Sequence, residues 1–297
     1  MIRRLTVGRP PGPVLELLDL GARVHRLEVA GADGSRHDLV LTLPDPADHV
    51  GDPGYVGAVV GRCANRIAHG RFELDGVPLE LPVNDGAHHL HGGPDGFDQR
   101  TWDVAELDPT RARLRLVSPD GDQGYPGTLT AEALFEVRDD RVVVTLTATT
   151  DAPTIVNLAA HPYFDLGPDA ELAIRAERFT PVDAAGIPTG EVVPVAGTPY
   201  DLRPPQPVGA LDLDHNFVVD GDGLRTAAVL ASERRGLRVE VRTDQPGLQA
   251  YTGHPRGGLA LEAQRFPDAP HHPDFPSVVL RPGETYRSHV EWVVRAG

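Results

Sequence analysis

Residues 237–242 read Leu-Arg-Val-Glu-Val-Arg, with an apolar side chain at every odd position and a charged one at every even position. A repeat of two belongs to an extended chain, whose successive side chains point to opposite faces. One face of this segment is therefore dry and the other wet, which is the pattern of a half-buried strand. The same alternation recurs in Arg113–Leu116, Val142–Ala148, Leu172–Ala176 and Val290–Val294. Turn signals punctuate the chain at Asp75-Gly76, Pro119-Asp120-Gly121, Asp220-Gly221 and Pro282-Gly283. No window carries a helical stripe. The expected fold class is all-β: a large antiparallel β sandwich, open on one face rather than closed into a barrel.

Composition agrees with that pattern and limits the function. Glycine (32) and proline (29) supply about a fifth of the 297 residues, against an ordinary share of roughly 12%. Such a density of helix breakers suits many short strands and turns. With 40% hydrophobic and 24% charged residues, the chain can build a sizeable core. We expect one domain over 1–297, with the Pro-rich stretches Arg203–Pro207 and Phe266–Pro276 as ordered loops rather than linkers. The formal charge of -15 repels phosphate backbones and anionic lipid, so neither a nucleic-acid nor a membrane partner is expected. Every basic side chain is arginine, which removes lysine Schiff-base chemistry. The single cysteine, Cys63, cannot form an internal disulfide, and the N-terminus lacks the apolar run of a secretory signal. A cytoplasmic protein, monomeric or homodimeric, is the expectation.

Five segments each hold a chemical side chain within this bland pattern: Arg66 in GRCANRI, His91 in HHLHGGPDGFD, His161 in NLAAHPYFDL, Asp214 in LDHNF and Glu262 in LALEAQRFPDAP. Glu262 follows an apolar strand, where an unpaired carboxylate is costly, and precedes a loop rich in Pro and His. Such a group, with its pKa raised, can act as a base near neutral pH. His161 ends an apolar run, where burial fixes its tautomer and moves its pKa. Taken alone, Arg66 reads equally as one of several arginines dressing a solvated strand, and Asp214 as a turn aspartate. His89 and His91 alternate, so both should point to one face, with Gly92-Gly93 turning the chain and letting a ligand approach. A His-x-His pair is also the start of a cupin-type metal site, but no glutamate follows at short spacing and no metal is expected. Asp214 and Glu262 keep a two-carboxylate glycosidase open.

These segments, taken in order with SPDGDQGYPGTL, PVDAAGIPTGEVVPVAGTPYDLR, TDQPGLQAYTG and FPSVVLRPGETY, resemble the aldose 1-epimerase (galactose mutarotase) family from about Gly57 to Tyr286. The resemblance implies a galactose mutarotase-like supersandwich with its site in a cleft on one face. It implies an isomerase without cofactor or metal that interconverts the anomers of a free aldose such as glucose or galactose. Glu262 would be the general base at the anomeric hydroxyl and His161 the general acid at the ring oxygen, facing each other across the sugar. Arg66, His91 and Asp214 would bind substrate, with Asn65 and Gln249 as further contacts. The sequence departs from the family pattern at His88, Ala160, Pro162, Ala250 and Ala263, positions that bear on which aldose is preferred. A non-catalytic sugar-binding protein on the same fold and an epimerase for a related sugar or sugar phosphate are the alternatives.

Overall fold

The computed structural model describes residues 1–31 and 34–296. Its largest element is a nine-stranded antiparallel sheet, which begins with Asp103–Asp108, Arg111–Ser118, Leu129–Arg138 and Arg141–Thr150. It continues through Tyr286–Ala296, Leu237–Thr243, Arg225–Ser232, Glu171–Ile174 and Gln206–Pro207. The alternating runs that suggested strands lie in this sheet, except that Leu172–Ala176 is strand only as far as Ile174. In Arg111–Ser118 the inward residues Ala112, Leu114 and Leu116 are buried, while Arg113 and Arg115 face outward. The longer hairpins close at two-residue turns such as Asp139-Asp140, where residue 139 takes the left-handed backbone (φ 46°) that such a turn demands.

A six-stranded sheet faces it, in the order Tyr163–Phe164, Leu259–Gln264, Gly247–Tyr251, Asp214–Val218, Arg178–Thr180, Val193–Pro194. A four-stranded meander, Arg4–Gly8, Val14–Leu18, Arg23–Ala30 and Arg36–Asp38, covers the flank. Side chains from all three sheets meet in one hydrophobic cluster running from Leu5 to Val294. Trp292 of the large sheet packs edge-on against Phe164 of the smaller one, ring centres 5.6 Å apart. The expected antiparallel sandwich is the observed fold.

The period of two in the smaller sheet is what places the site. Leu259, Leu261 and Ala263 join the core, so Glu262 lies on the opposite face. Leu248 and Ala250 likewise turn inward and leave Gln249 opposite Glu262 in register. The departures at Ala250 and Ala263 therefore fall on the core face and cannot touch a ligand in the cleft. Phe266 and Phe275, at the ends of the Pro-rich loop, are buried against each other with ring centres 5.1 Å apart, so that loop is ordered.

The His-Gly-Gly segment differs from its expected geometry. Extended pairing with Arg66–Ile67 covers only His89–Leu90, and His91 then adopts a left-handed backbone (φ 51°). Alternation stops there, so His89 and His91 do not share a face. His89 is fully buried; its Nδ1–H donates to Pro82 O (2.7 Å) and its Nε2 accepts from the Tyr125 hydroxyl (2.6 Å). Gly92 is needed for a different reason from the one expected: a Cβ there would sit 1.7 Å from the carbonyl oxygen of Gly61. It admits the neighbouring backbone, not a ligand.

Candidate active site

A cleft of about 410 Å³ opens on the outer face of the six-stranded sheet. Its lining brings together Arg66, His91, His161, Asp214, Glu262 and Asn65, drawn from segments up to about two hundred residues apart in the chain. Gln249 is not among the lining residues, although it pairs in register with Glu262.

The floor of the cleft is built from two rigid pieces. Glu262 sits in mid-strand, 2% exposed. His161 follows the short Ala159–Ala160 strand and is pinned through its main chain. Its N–H donates to Ala58 O (2.8 Å), and its carbonyl accepts from Gly57 N–H (2.9 Å). The imidazole Nε2 then lies 3.4 Å from Glu262 Oε1. His161 Nδ1 and Glu262 Oε2 have no hydrogen-bond partner, which leaves both groups with unspent polar capacity. Burial pushes the Glu262 carboxyl well above the usual carboxylate range, with the Asp214 charge adding to the rise and the Arg66 cation opposing it. Burial also lowers His161 to about 4. These opposed shifts favour a pair that shares a single proton, resting on the carboxyl, and the short contact lets it change partner.

The two groups do not face each other across the cleft, as was expected; they stand side by side.

One wall is a hydrogen-bonded frame of charge. Arg66 opens the Arg66–Ile67 strand and donates from Nε to Asp85 Oδ2 (2.8 Å) and from Nη1 to Asp214 Oδ2 (3.2 Å). Asp214 begins the strand Asp214–Val218 and accepts from Gln249 Nε2 at its other oxygen (2.6 Å). The Gln249 amide donor is thus committed to holding Asp214. Gly186 lies flat on the guanidinium, where a Cβ would be 2.8 Å from Arg66 Nη1.

His91 is fixed by Asn65. Asn65 has a left-handed backbone (φ 62°), which asparagine tolerates better than most residues, and its side-chain oxygen accepts from Arg66 N–H (2.8 Å). That turn aims the Asn65 N–H at His91 Nδ1 (3.1 Å). A ring that accepts at Nδ1 carries its proton on Nε2 when neutral, and burial holds His91 well below the ordinary histidine value. His91 is therefore a neutral donor.

His91, His161 and Glu262 each offer an atom within 4.8 Å of the others, a spacing that could hold a cation. The donor set does not fit one. A ligating histidine normally donates its second nitrogen to an acceptor, whereas His91 Nδ1 faces an N–H. The cupin-type arrangement through His89 fails as well, because both its nitrogens are bonded elsewhere.

Comparison with known proteins agrees with this geometry. The aldose 1-epimerase family model matches residues 3–292. The chain belongs to the aldose 1-epimerase family. It is 36% identical to an aldose 1-epimerase of Escherichia coli (strain K12), over 98% of this chain and 94% of that one. It is 38% identical to a galactose mutarotase of Bos taurus, over 94% and 90%. Two solved structures extend the likeness to three dimensions. An aldose epimerase homologue from C. elegans superposes with a TM-score of 0.95 at 27% identity, over 100% of this chain and 99% of that one. A galactose 1-epimerase from Lactobacillus acidophilus NCFM superposes with a TM-score of 0.88 at 31%, over 100% and 95%.

Several residues of the family cleft were not anticipated from sequence: Asp52, Tyr55, Asp85, Tyr251 and His254. Asp85 and Tyr55 lie in short turns, Asn84-Asp85-Gly86 and Pro53-Gly54-Tyr55, that look like ordinary loop chemistry. The Tyr55 backbone is left-handed (φ 52°), which nothing in its sequence announces. Tyr163 and Phe164 divide: Tyr163 lines the cleft, while Phe164 fills the core.

Proposed function

We propose that the protein is an aldose 1-epimerase, a mutarotase that interconverts the α and β anomers of a free aldose such as glucose or galactose without a cofactor. The observation that carries this reading is the buried contact of 3.4 Å between His161 Nε2 and Glu262 Oε1 at the floor of the cleft. In the reacting arrangement Glu262 is ionised and His161 protonated. Glu262 takes the proton from the anomeric hydroxyl, the electron pair of that O–H becomes the carbonyl, and the bond from C1 to the ring oxygen breaks. The ring oxygen takes the proton of His161. The open aldehyde turns about its C1–C2 bond and closes on its other face, with both protons returning.

Opening the ring converts the ion pair back into a neutral acid and a neutral imidazole, the form that burial of these two groups favours. Shifting the shared proton from the carboxyl to the imidazole is therefore a cost within the barrier, and the two proton transfers to and from the sugar discharge it. His91 donates from Nε2 to the ring oxygen or a nearby hydroxyl. Arg66 and Asp214 anchor hydroxyls remote from the anomeric carbon, Asn65 holds His91, and Gln249 holds Asp214. No metal is needed: a positioned acid and base suffice.

The competing readings have less support. A phosphorylated sugar needs a free basic wall, yet the lining carries Asp52, Asp85, Asp214 and Glu262 against Arg66 and Arg256, and Arg66 already serves two carboxylates. A sugar-binding module has no use for a buried carboxyl beside a buried imidazole, a costly arrangement characteristic of catalysis. The reading carries with it a single unit over 1–297, supported by the one cluster from Leu5 to Val294. It also carries a cytoplasmic location as monomer or homodimer; among the described residues no helix is long and apolar enough to cross a membrane. Polarimetry of freshly dissolved α-D-glucose, α-D-galactose and an arabinose tests the activity. The expected result is faster relaxation to the equilibrium rotation with at least one of them. Relaxation at the buffer rate with every aldose would refute it.

A further inference from the structure

Tyr55 has no part in the scheme above, yet it occupies the best position to affect both histidines. Its ring lies 4.6 Å from that of His91 and 6.3 Å from that of His161, nearly parallel to the latter at 28°. The loop that carries it is held from two sides. The Tyr163 hydroxyl donates to Gly54 O (3.0 Å), and the His254 ring packs so closely that a Cβ at Gly54 would be 2.6 Å from its Nε2. A strained left-handed tyrosine is retained there, the kind of local cost that gathers at working sites.

The hydroxyl has an imposed polarity. Asn84 is clamped by a single residue: its Oδ1 accepts from Leu90 N–H (2.8 Å) and its Nδ2 donates to Leu90 O (3.0 Å). The amide cannot flip without breaking both bonds. Its Nδ2 therefore donates to Tyr55 Oη (3.3 Å), so the tyrosine accepts on that side and keeps its own proton for an acceptor in the cleft. No residue among those described takes that proton.

We infer that Tyr55 is a further substrate-positioning residue: its hydroxyl donates to an oxygen of the bound aldose, and its ring closes His91 and His161 off from water. The inference rests on the proposed mutarotase reading of the cleft. His161 is faced by Glu262, His91, Tyr55 and Tyr163, with His254 and Arg23 contributing nearby positive charge. Among these, Tyr55 lies in a loop outside the strands that carry the acid and base, and its side chain can be cut back without touching them.

Two variants test it, each first checked for a wild-type melting temperature. In Tyr55→Phe the loss should fall on KM, raised about 5-fold for one lost hydrogen bond, with the pH profile unmoved. In Tyr55→Ala water reaches the imidazole, and the acid limb of the rate profile should move up from about 4 towards the ordinary histidine value. Either a wild-type KM in Tyr55→Phe or an unmoved acid limb in Tyr55→Ala overturns the inference. A failure of the mutarotase reading is distinct, since the wild-type protein would then accelerate no aldose at all.

Discussion

Burial sets the protonation of Glu262 and His161 against the usual preference of each, and in the proposed mechanism the two hold one proton between them. The consequence for rate is a bell-shaped pH profile. Below about 4 His161 is protonated while Glu262 keeps its proton, and the pair has no base. Above the raised value of Glu262 both protons are gone and the pair has no acid. The expected profile of kcat/KM has its acid limb near 4; a limb near the ordinary histidine value of about 6.5 would show that His161 is solvated. Both residues were legible in the sequence because a lone polar side chain at the end or in the middle of an apolar run stands out. What could not be read was their separation. The expectation that they oppose each other assumed a sugar lying between two walls, whereas the two groups lie 3.4 Å apart.

At the scale of the element, the site depends on strand register and on loops that lock polar side chains. Glu262 and Gln249 share a cleft-facing row because Leu261, Ala263, Leu248 and Ala250 take the other face, and this much followed from a repeat of two. The same rule misplaced His89, since it presumes that extension continues and the left-handed His91 ends it. Tyr55 and Asp85 were missed for a related reason: turn residues signal a turn whether or not they also face a ligand. Gly186 gives a test of how tightly a loop must seat on the Arg66 frame. Its backbone is left-handed (φ 76°), and a methyl group there would press on the guanidinium. Gly186→Ala is expected to raise KM about 5-fold, the ~1 kcal/mol of one weakened hydrogen bond, with kcat nearly unchanged. Titration of initial rates against aldose concentration checks it, and an unchanged KM would mean that the loop yields instead.

For the whole molecule, the sandwich and its sheets were readable from alternation and turn spacing, while the burial of His49 and His89 was not, because neither closes an apolar run as His161 does. His49 is held down at about 3 and His89 and His161 at about 4, each chiefly by burial. In the unfolded chain these rings titrate near 6.5. As pH falls below that value the unfolded chain binds protons that the native protein refuses. Stability is therefore complete above about 6.5 and is lost towards pH 4, at about 1.4 kcal/mol per pH unit for each fully buried ring. Thermal melts from pH 8 to pH 4 should show a steepening fall in Tm below pH 6.5; a Tm that holds constant to pH 4 would contradict this burial pattern. The same molecule, folded at neutral pH, offers the most direct test of the central claim. The measurement is the mutarotation rate of an accepted aldose with Glu262→Gln, His161→Gln and the double variant, each of native fold. Each single substitution is predicted to cost about 10²–10⁴ in kcat. The double variant is predicted to lose no more than the worse single one, because the two side chains act as one unit. Full activity in Glu262→Gln would contradict the account.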